Sequence, residues 1–151
     1  MSKKNEEEID YFEDYQFIAI VSHLKDYTLC YNINLNLDFD LVKYDDLVVH
    51  SISETESSFT WYYFKDEISG TNYYLMGNKC GNGNLLKSQK TVDYVLLIKN
   101  PVSDDLLSPQ LNSLRKISNV IAVFELDMEQ QKNMDILLEK IELHELEVVN
   151  Y

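Results

Sequence analysis

Positive charge is scarce in this sequence beside negative: 13 Lys and Arg stand against 26 Asp and Glu, a formal net charge of −13. A field of that sign repels nucleic acid and anionic lipid, so non-specific contact with either is disfavoured. No stretch approaches the ~18 consecutive apolar residues of a membrane-spanning helix. The start, "MSKKNEEEIDYFEDY", lacks the apolar core of a secretory signal. No membrane association is expected, and the cytoplasm is the expected location. The two cysteines, Cys30 and Cys80, form no CxxC or metal-ligand spacing and read as thiols of a reducing compartment. His144 lacks the second histidine of HExxH, His50 is isolated, and no GxSxG, Rossmann or kinase signature is present. No metal or other cofactor is expected.

What remains is the composition of one compact domain, 151 residues with 45% hydrophobic content and no internal repeat or low-complexity linker. Residues 1–14, two lysines followed by acids, read as a disordered acidic arm, and residues 15–151 as a single domain. "QFIAIV" is a short continuous apolar run, the mark of a strand covered on both faces. Ser22 then stands where a helix cap is expected, with Leu24, Tyr27, Tyr31 and Leu35 at helical spacing and Cys30, Ile33 and Leu37 beside them. From residue 45 to 99 the texture is that of a β-meander, "LVVHSIS", "SFTWYYF", "TNYYLMGNK" and "VDYVLLIK", with the separators "KDEISG" and "CGNGN" holding three of the four glycines. Ser108 and Pro109 predict a second helix start, "NVIAVFEL" a further strand, and Met134, Leu137, Leu138 and Ile141 one face of a closing helix. The order β-α-β-β-β-β-α-β-α predicts an α+β fold: one mixed, largely antiparallel sheet of about six strands, ferredoxin-like in type, with helices mainly on one face. The most apolar runs, at 17–21, 94–98 and 120–124, are expected near its middle.

Two places invite functional readings. His23, Lys25 and Asp26 follow a central strand and open a helix, where side chains and helical N–H groups converge on ligands. With Asp93 they form a candidate small-anion or catalytic site; capping and solvation is the ordinary alternative. Trp61, Tyr62, Tyr63, Tyr73 and Tyr74 lie on two strands predicted to pair, and alternation sends Trp61 and Tyr63 to one face and Tyr62 to the other. One aromatic face can pack on helices, and the second then needs a partner or ligand, unless the rings only pair across strands. Lys79 and Lys90 fall in the one region, residues 60–100, where lysines outnumber acids, five to three. Stacked bases would suit such a surface. "CGNGN" lacks the GK[ST] of a phosphate loop and reads as a hairpin connection, and Asp45, Asp46, Asp104 and Asp105 read as turn or cap residues.

The stretch "LLKSQKTVDYVLLIKN" resembles the bacterial family named for the pattern IPExxxVDY. Val92, Asp93 and Tyr94 match, while Leu86, Lys87 and Ser88 stand where that family has Ile-Pro-Glu. "SHLKDYTLCYNIN" and "ISNVIAVFEL" fit its layout as well. Members of that family are cytosolic proteins of about this length, often encoded beside ribonuclease III and pyruvate kinase, and the resemblance by itself implies no particular activity, cofactor or ligand. Asp93, the sole charge between Thr91 and Lys99, is suited to accept loop N–H bonds, and Tyr94 to bury its ring with its hydroxyl at a polar rim. The leading expectation is a non-catalytic module that binds a protein partner, or a second copy of itself, through the aromatic face. RNA binding by the same hairpins is the second, and a small-anion binder or enzyme at "SHLKDY" the third.

Overall fold

The computed structural model describes residues 12–50, 55–81 and 83–149. Most of the expected acidic arm, residues 1–11, lies outside them; residues 12–14 form a turn, and Phe12 packs against the core. The elements are β1 (Tyr15–Ser22), α1 (Asp26–Leu37), β2 (Val42–His50), β3 (Glu56–Asp66), β4 (Thr71–Gly77), a two-residue hairpin β5 (Lys79–Cys80) and β6 (Gly83–Asn84), β7 (Tyr94–Lys99), α2 (Asp104–Arg115), β8 (Val120–Leu126), a 3-10 turn (Met128–Gln130) and α3 (Met134–Val148). The fold is α+β. Six strands form one sheet in the order β2-β3-β4-β7-β1-β8, and every pairing is antiparallel. The segment β8-β1-β7-β4 is compatible with a ferredoxin-like unit, which β3 and β2 extend. No helix of the described residues is long and apolar enough to cross a membrane.

Alternation along each strand divides the core in two. On one face lie Phe17, Ala19, Trp61, Tyr63, Tyr74, Met76, Val95 and Leu97, closed by Met134, Leu138 and Ile141 of α3. On the other lie Ile18, Ile20, Tyr62, Tyr73, Leu75, Leu96 and Ile98, closed by Leu29, Cys30 and Ile33 of α1 and Leu107 and Leu114 of α2. Two helices thus share one face, and α3 alone covers the opposite face, so the sheet is the middle of three layers. Every residue of β4 is buried, as its position between two covered faces requires. At Gly77, the last residue of β4, a Cβ would meet Thr60 Oγ1 of β3 at 2.8 Å.

Three local expectations are corrected. The first helix begins at Asp26 with Lys25 as its cap residue, three positions after Ser22, whose hydroxyl donates to Asn119 O at 2.8 Å and accepts from Leu24 N–H at 3.1 Å. The second begins at Asp104, not after Ser108, and carries Pro109 inside it. Asp104 and Asp105 complement the positive end of its dipole, and Ser103 O accepts from Leu106 and Leu107 N–H. Finally, β8 lies at an edge of the sheet, whereas β1 and β7 are central as expected.

Six tyrosine hydroxyls, those of Tyr15, Tyr62, Tyr63, Tyr73, Tyr74 and Tyr94, are pushed up from the usual tyrosine range, in each case chiefly by burial. Tyr15 and Tyr74 donate to Glu142 and Glu145 of α3, and the negative carboxylates favour the neutral phenol further. Partial burial pushes Glu142 up, but the bonds from Tyr15 and Lys99 outweigh it and leave the carboxyl below its ordinary range. A phenol whose folded value is raised contributes stability below its unfolded pKa of about 10 and loses it as the pH climbs through the folded value. In an alkaline titration followed by tyrosinate absorbance, these six hydroxyls will stay protonated past the ordinary tyrosine range of about 10 and will appear only with loss of the folded circular-dichroism signal. Simple ionisation of every tyrosine near pH ~10 with the fold intact would contradict this packing.

Candidate functional site

The stretch from Leu85 to Tyr94 wraps around one buried side chain, Asn78, immediately after β4. Its Nδ2 donates to Gln89 O and Val92 O, each at 2.8 Å, and its Oδ1 accepts from Leu86 N–H at 2.8 Å. Its own carbonyl accepts from Leu85 N–H at 2.7 Å, and its N–H donates to Asp93 O at 2.9 Å. Leu85, Leu86 and Val92 are buried, while Lys87, Ser88, Lys90 and Thr91 are exposed. A loop of this length would otherwise leave polar backbone groups unpaired at the edge of the core; one carboxamide and its backbone meet five of them.

Asp93 then joins this loop to the end of β1. Its N–H donates to Ile20 O at 3.0 Å, and its Oδ2 accepts from Ser22 N–H at 2.8 Å, so the side chain stands in for the rung that β7, starting at Tyr94, does not supply. Its other oxygen meets Lys79 Nζ at 2.9 Å. Tyr94 donates its hydroxyl to Leu24 O at 2.5 Å, and burial, reinforced by the charges of Asp26 and Asp93, pushes that hydroxyl up to about 12. On the next turn Asp26 accepts from Tyr62 Oη at 2.5 Å and lies 3.9 Å from Lys43 Nζ. Burial comes first among the causes that raise Tyr62, followed by this bond and the charge of Asp26. Burial also pushes the Cys30 thiol up to about 11, with Asp26 and Asp40 adding to the effect.

Of the four residues expected to form a ligand site, Asp26 and Asp93 are thus both within electrostatic reach of Tyr94, while His23 and Lys25 are exposed and bonded to neither. Asp93 is engaged in holding the corner after β1 and Asp26 in tying the start of α1 to β3, and the phenols beside them are held neutral. The cluster presents acceptors satisfied by the protein's own donors and no nucleophile paired with a base. Among the described residues no group of three or more His, Cys, Asp or Glu is arranged to hold a metal.

The aromatic surface expected to need an outside partner is corrected. Trp61, Tyr62, Tyr63, Tyr73 and Tyr74 are all buried within the chain, because α3 covers one face and α1 with α2 the other. Trp61 stacks on Tyr63 at 5.8 Å and meets the edge of His144 at 4.8 Å; Tyr73 packs at 4.2 Å on Phe39 and accepts a bond from Gln110. Of the two lysines assigned to that surface, Lys79 is paired with Asp93 and Lys90 is exposed on the loop. An open groove of about 440 Å³ runs beside Tyr15, Gln16, Glu125, Asp127 and Glu129, with acidic walls that suit no anion. A smaller depression of about 200 Å³ lies between Lys87, Ser88, Gln131 and Lys132.

A different surface is open. Tyr27, Tyr31 and Leu35, one row of α1, are 66%, 65% and 68% exposed. The helix is apolar on two sides, and it buries Leu29, Cys30 and Ile33 instead. Two superposed apolar rows in the sequence carried this signal, but periodicity alone gives no means of choosing the inner one. No protein-family model matches the chain, and no curated protein matches it in sequence.

Asn78→Ala will cost about 3 kcal/mol, since it strands two carbonyls and an N–H in a buried setting, and Asp93→Ala about 2 kcal/mol. Urea unfolding measures both, and the double variant will fall short of additivity because the two residues hold the same loop. An unchanged midpoint in Asp93→Ala would show that the Ser22 and Lys79 contacts hold nothing together.

Proposed function

We propose that this chain is a non-catalytic protein-interaction module whose partner docks on the outer row of α1. The observation that carries the reading is the exposure of Tyr27, Tyr31 and Leu35 on successive turns of one helix. Residues 27–37 contain no charge in a chain of net −13, so a partner meets apolar and aromatic surface without desolvating an ion. Tyrosine gives large contact area for few rotatable bonds and is enriched where interfaces concentrate their energy. Asn32 and Asn36, on the adjoining row, turn their amides back onto the carbonyls of Thr28 and Asn32 at 2.9 and 2.7 Å. They lie flat along the helix and leave the tyrosines standing proud of it.

This reading keeps the interaction role expected from the sequence and moves it from the sheet to a helix. It sets the protein in the bacterial cytoplasm, as the resemblance to the IPExxxVDY family implies. RNA binding has lost its support, because the rings that would stack on bases are packed inside and Lys79 is held by Asp93.

The test is affinity capture from nuclease-treated native extract with the wild-type chain and with Tyr31→Glu. Substitution of so exposed a side chain changes stability by no more than about 0.5 kcal/mol, which unfolding will verify. A partner retained by the wild type and reduced about tenfold or more by Tyr31→Glu is the expected result. Equal retention by both, retention only when RNA is intact, or no partner with either would contradict the assignment.

A further inference from the structure

The depression beside Leu86 is small, about 200 Å³, and its walls come from two segments far apart in sequence. Leu86, Lys87 and Ser88 belong to the loop that Asn78 holds, and Gln131 and Lys132 to the turn that enters α3. The two walls are joined directly. Gln131 Oε1 accepts from the Ser88 hydroxyl at 3.2 Å and from Gln89 Nε2 at 3.5 Å, while Gln131 Nε2 donates to Asp127 O at 3.3 Å. Gln131 N–H donates to Met128 O at 3.2 Å, and Leu86 N–H to Asn78 Oδ1 at 2.8 Å. Bonds on both sides set the lining, so a ligand does not have to organise it.

Its charge is opposite to that of the molecule. The chain has twice as many acids as bases, yet the depression is lined by two lysines and by no carboxylate. Lys43, Lys79 and Lys99 face acids at 3.9, 2.9 and 3.2 Å, whereas Lys87 and Lys132 form no ion pair among the described residues. The larger groove, beside Glu125, Asp127 and Glu129, has the reverse character. α3 begins two residues after Lys132, and its cap residue Asn133 makes no side-chain bond to the first turn, so the positive end of the helix dipole adds to the field of the two ammoniums. Asp135, the acid of that turn, does not line the depression.

Size and donor type choose the ligand. Pockets for drug-sized molecules hold roughly 300–1,000 Å³, so this one takes a small ion or a single group of a larger molecule. A planar carboxylate is matched best by the fork of an arginine, and no arginine lines the site; lysine acts as a point charge and suits a tetrahedral phosphoryl group. We propose that the depression between Lys87 and Lys132 binds a dianionic phosphoryl group, as inorganic phosphate or as the end of a small phosphate monoester. Each ammonium meets one of the two charges, and the exposed Ser88 hydroxyl turns from Gln131 to a further oxygen. The site is separate from the outer row of α1 and does not depend on the function assigned to it.

Amide NMR spectra of the full chain test this by titration with inorganic phosphate at constant ionic strength. The pH is held at about 8, where a phosphate ester of second pKa ~6 is a dianion. Ser88, Gln131 and Lys132 will shift saturably, with a Kd of roughly 1–10 mM. Lys87→Gln and Lys132→Gln will each weaken binding about threefold or more, while Lys116→Gln, at an exposed lysine after α2, and Tyr31→Glu will leave it unchanged. Methyl phosphate that binds at least as tightly marks an ester as the ligand, and weaker binding marks the free ion. Shifts that acetate reproduces at the same concentration, that grow without saturation, or that persist undiminished in the two lysine variants would overturn the proposal.

Discussion

A strand in which every side chain from Thr71 to Gly77 is buried can exist only if both faces of its sheet are closed by the same chain. That constraint organises the molecule. Even-numbered and odd-numbered residues of β3 and β4 each need a cover, so the helices cannot all lie together. α1 and α2 take the face of Tyr62, Tyr73 and Leu75, and α3 takes the face of Trp61, Tyr74 and Met76. Burying so many tyrosines brings hydroxyls into the core, and each needs an acceptor or a polar rim. α3 meets this with glutamates, Glu142 for Tyr15 and Glu145 for Tyr74, and α1 with Asp26 for Tyr62. Part of the acidic excess is therefore structural: the carboxylates that repel polyanions at the surface also terminate the phenols of the core.

The same constraint explains the polar knot around Asn78 and Asp93. β4 and β7 are neighbours, but the chain must pass through the small β5–β6 hairpin and a loop before it returns. Leu85, Leu86 and Val92 enter the core on the way, and their backbones come with them. Asn78 and Asp93 satisfy those groups, and Asp93 extends the reach of β7 to the last residue of β1. Val92-Asp93-Tyr94 marks where a central strand begins. Its acid and phenol hold the β1–α1 corner, a role that needs hydrogen-bonding geometry rather than reactivity.

Much of this was legible in the residues themselves. The central placement of β1 and β7 could be read from continuous apolar runs, the opposite facing of Trp61 and Tyr62 from strand alternation, and the buried face of α3 from Met134, Leu138 and Ile141. What could not be read was set by tertiary partners. Composition does not say whether an apolar strand has one neighbour or two, so β8 read as central. The Ser22 hydroxyl has the chemistry of a cap, but it accepts from Leu24 N–H in the turn before the helix and donates to Asn119 O, almost a hundred positions away. The surplus of aromatic strand surface argued for an outside partner because nothing in the sequence assigns α3 to the second face. Asn78 gave no signal in an asparagine-rich chain; its importance lies in its neighbours. The exposed row of α1 was in view as periodicity, though on the wrong side of the helix.

Closure of both faces from within is the claim on which the placement of the open surfaces rests, and the single tryptophan reports on it. Trp61 is fully buried between Tyr63, Tyr74 and His144, beneath α3. Its fluorescence in the native protein at low concentration, with iodide as quencher, measures that cover directly. The account predicts blue-shifted emission that iodide does not quench until the protein unfolds. Red emission, readily quenched while the secondary structure is intact, would mean that the aromatic sheet is open to solvent and would return the search for a partner to it.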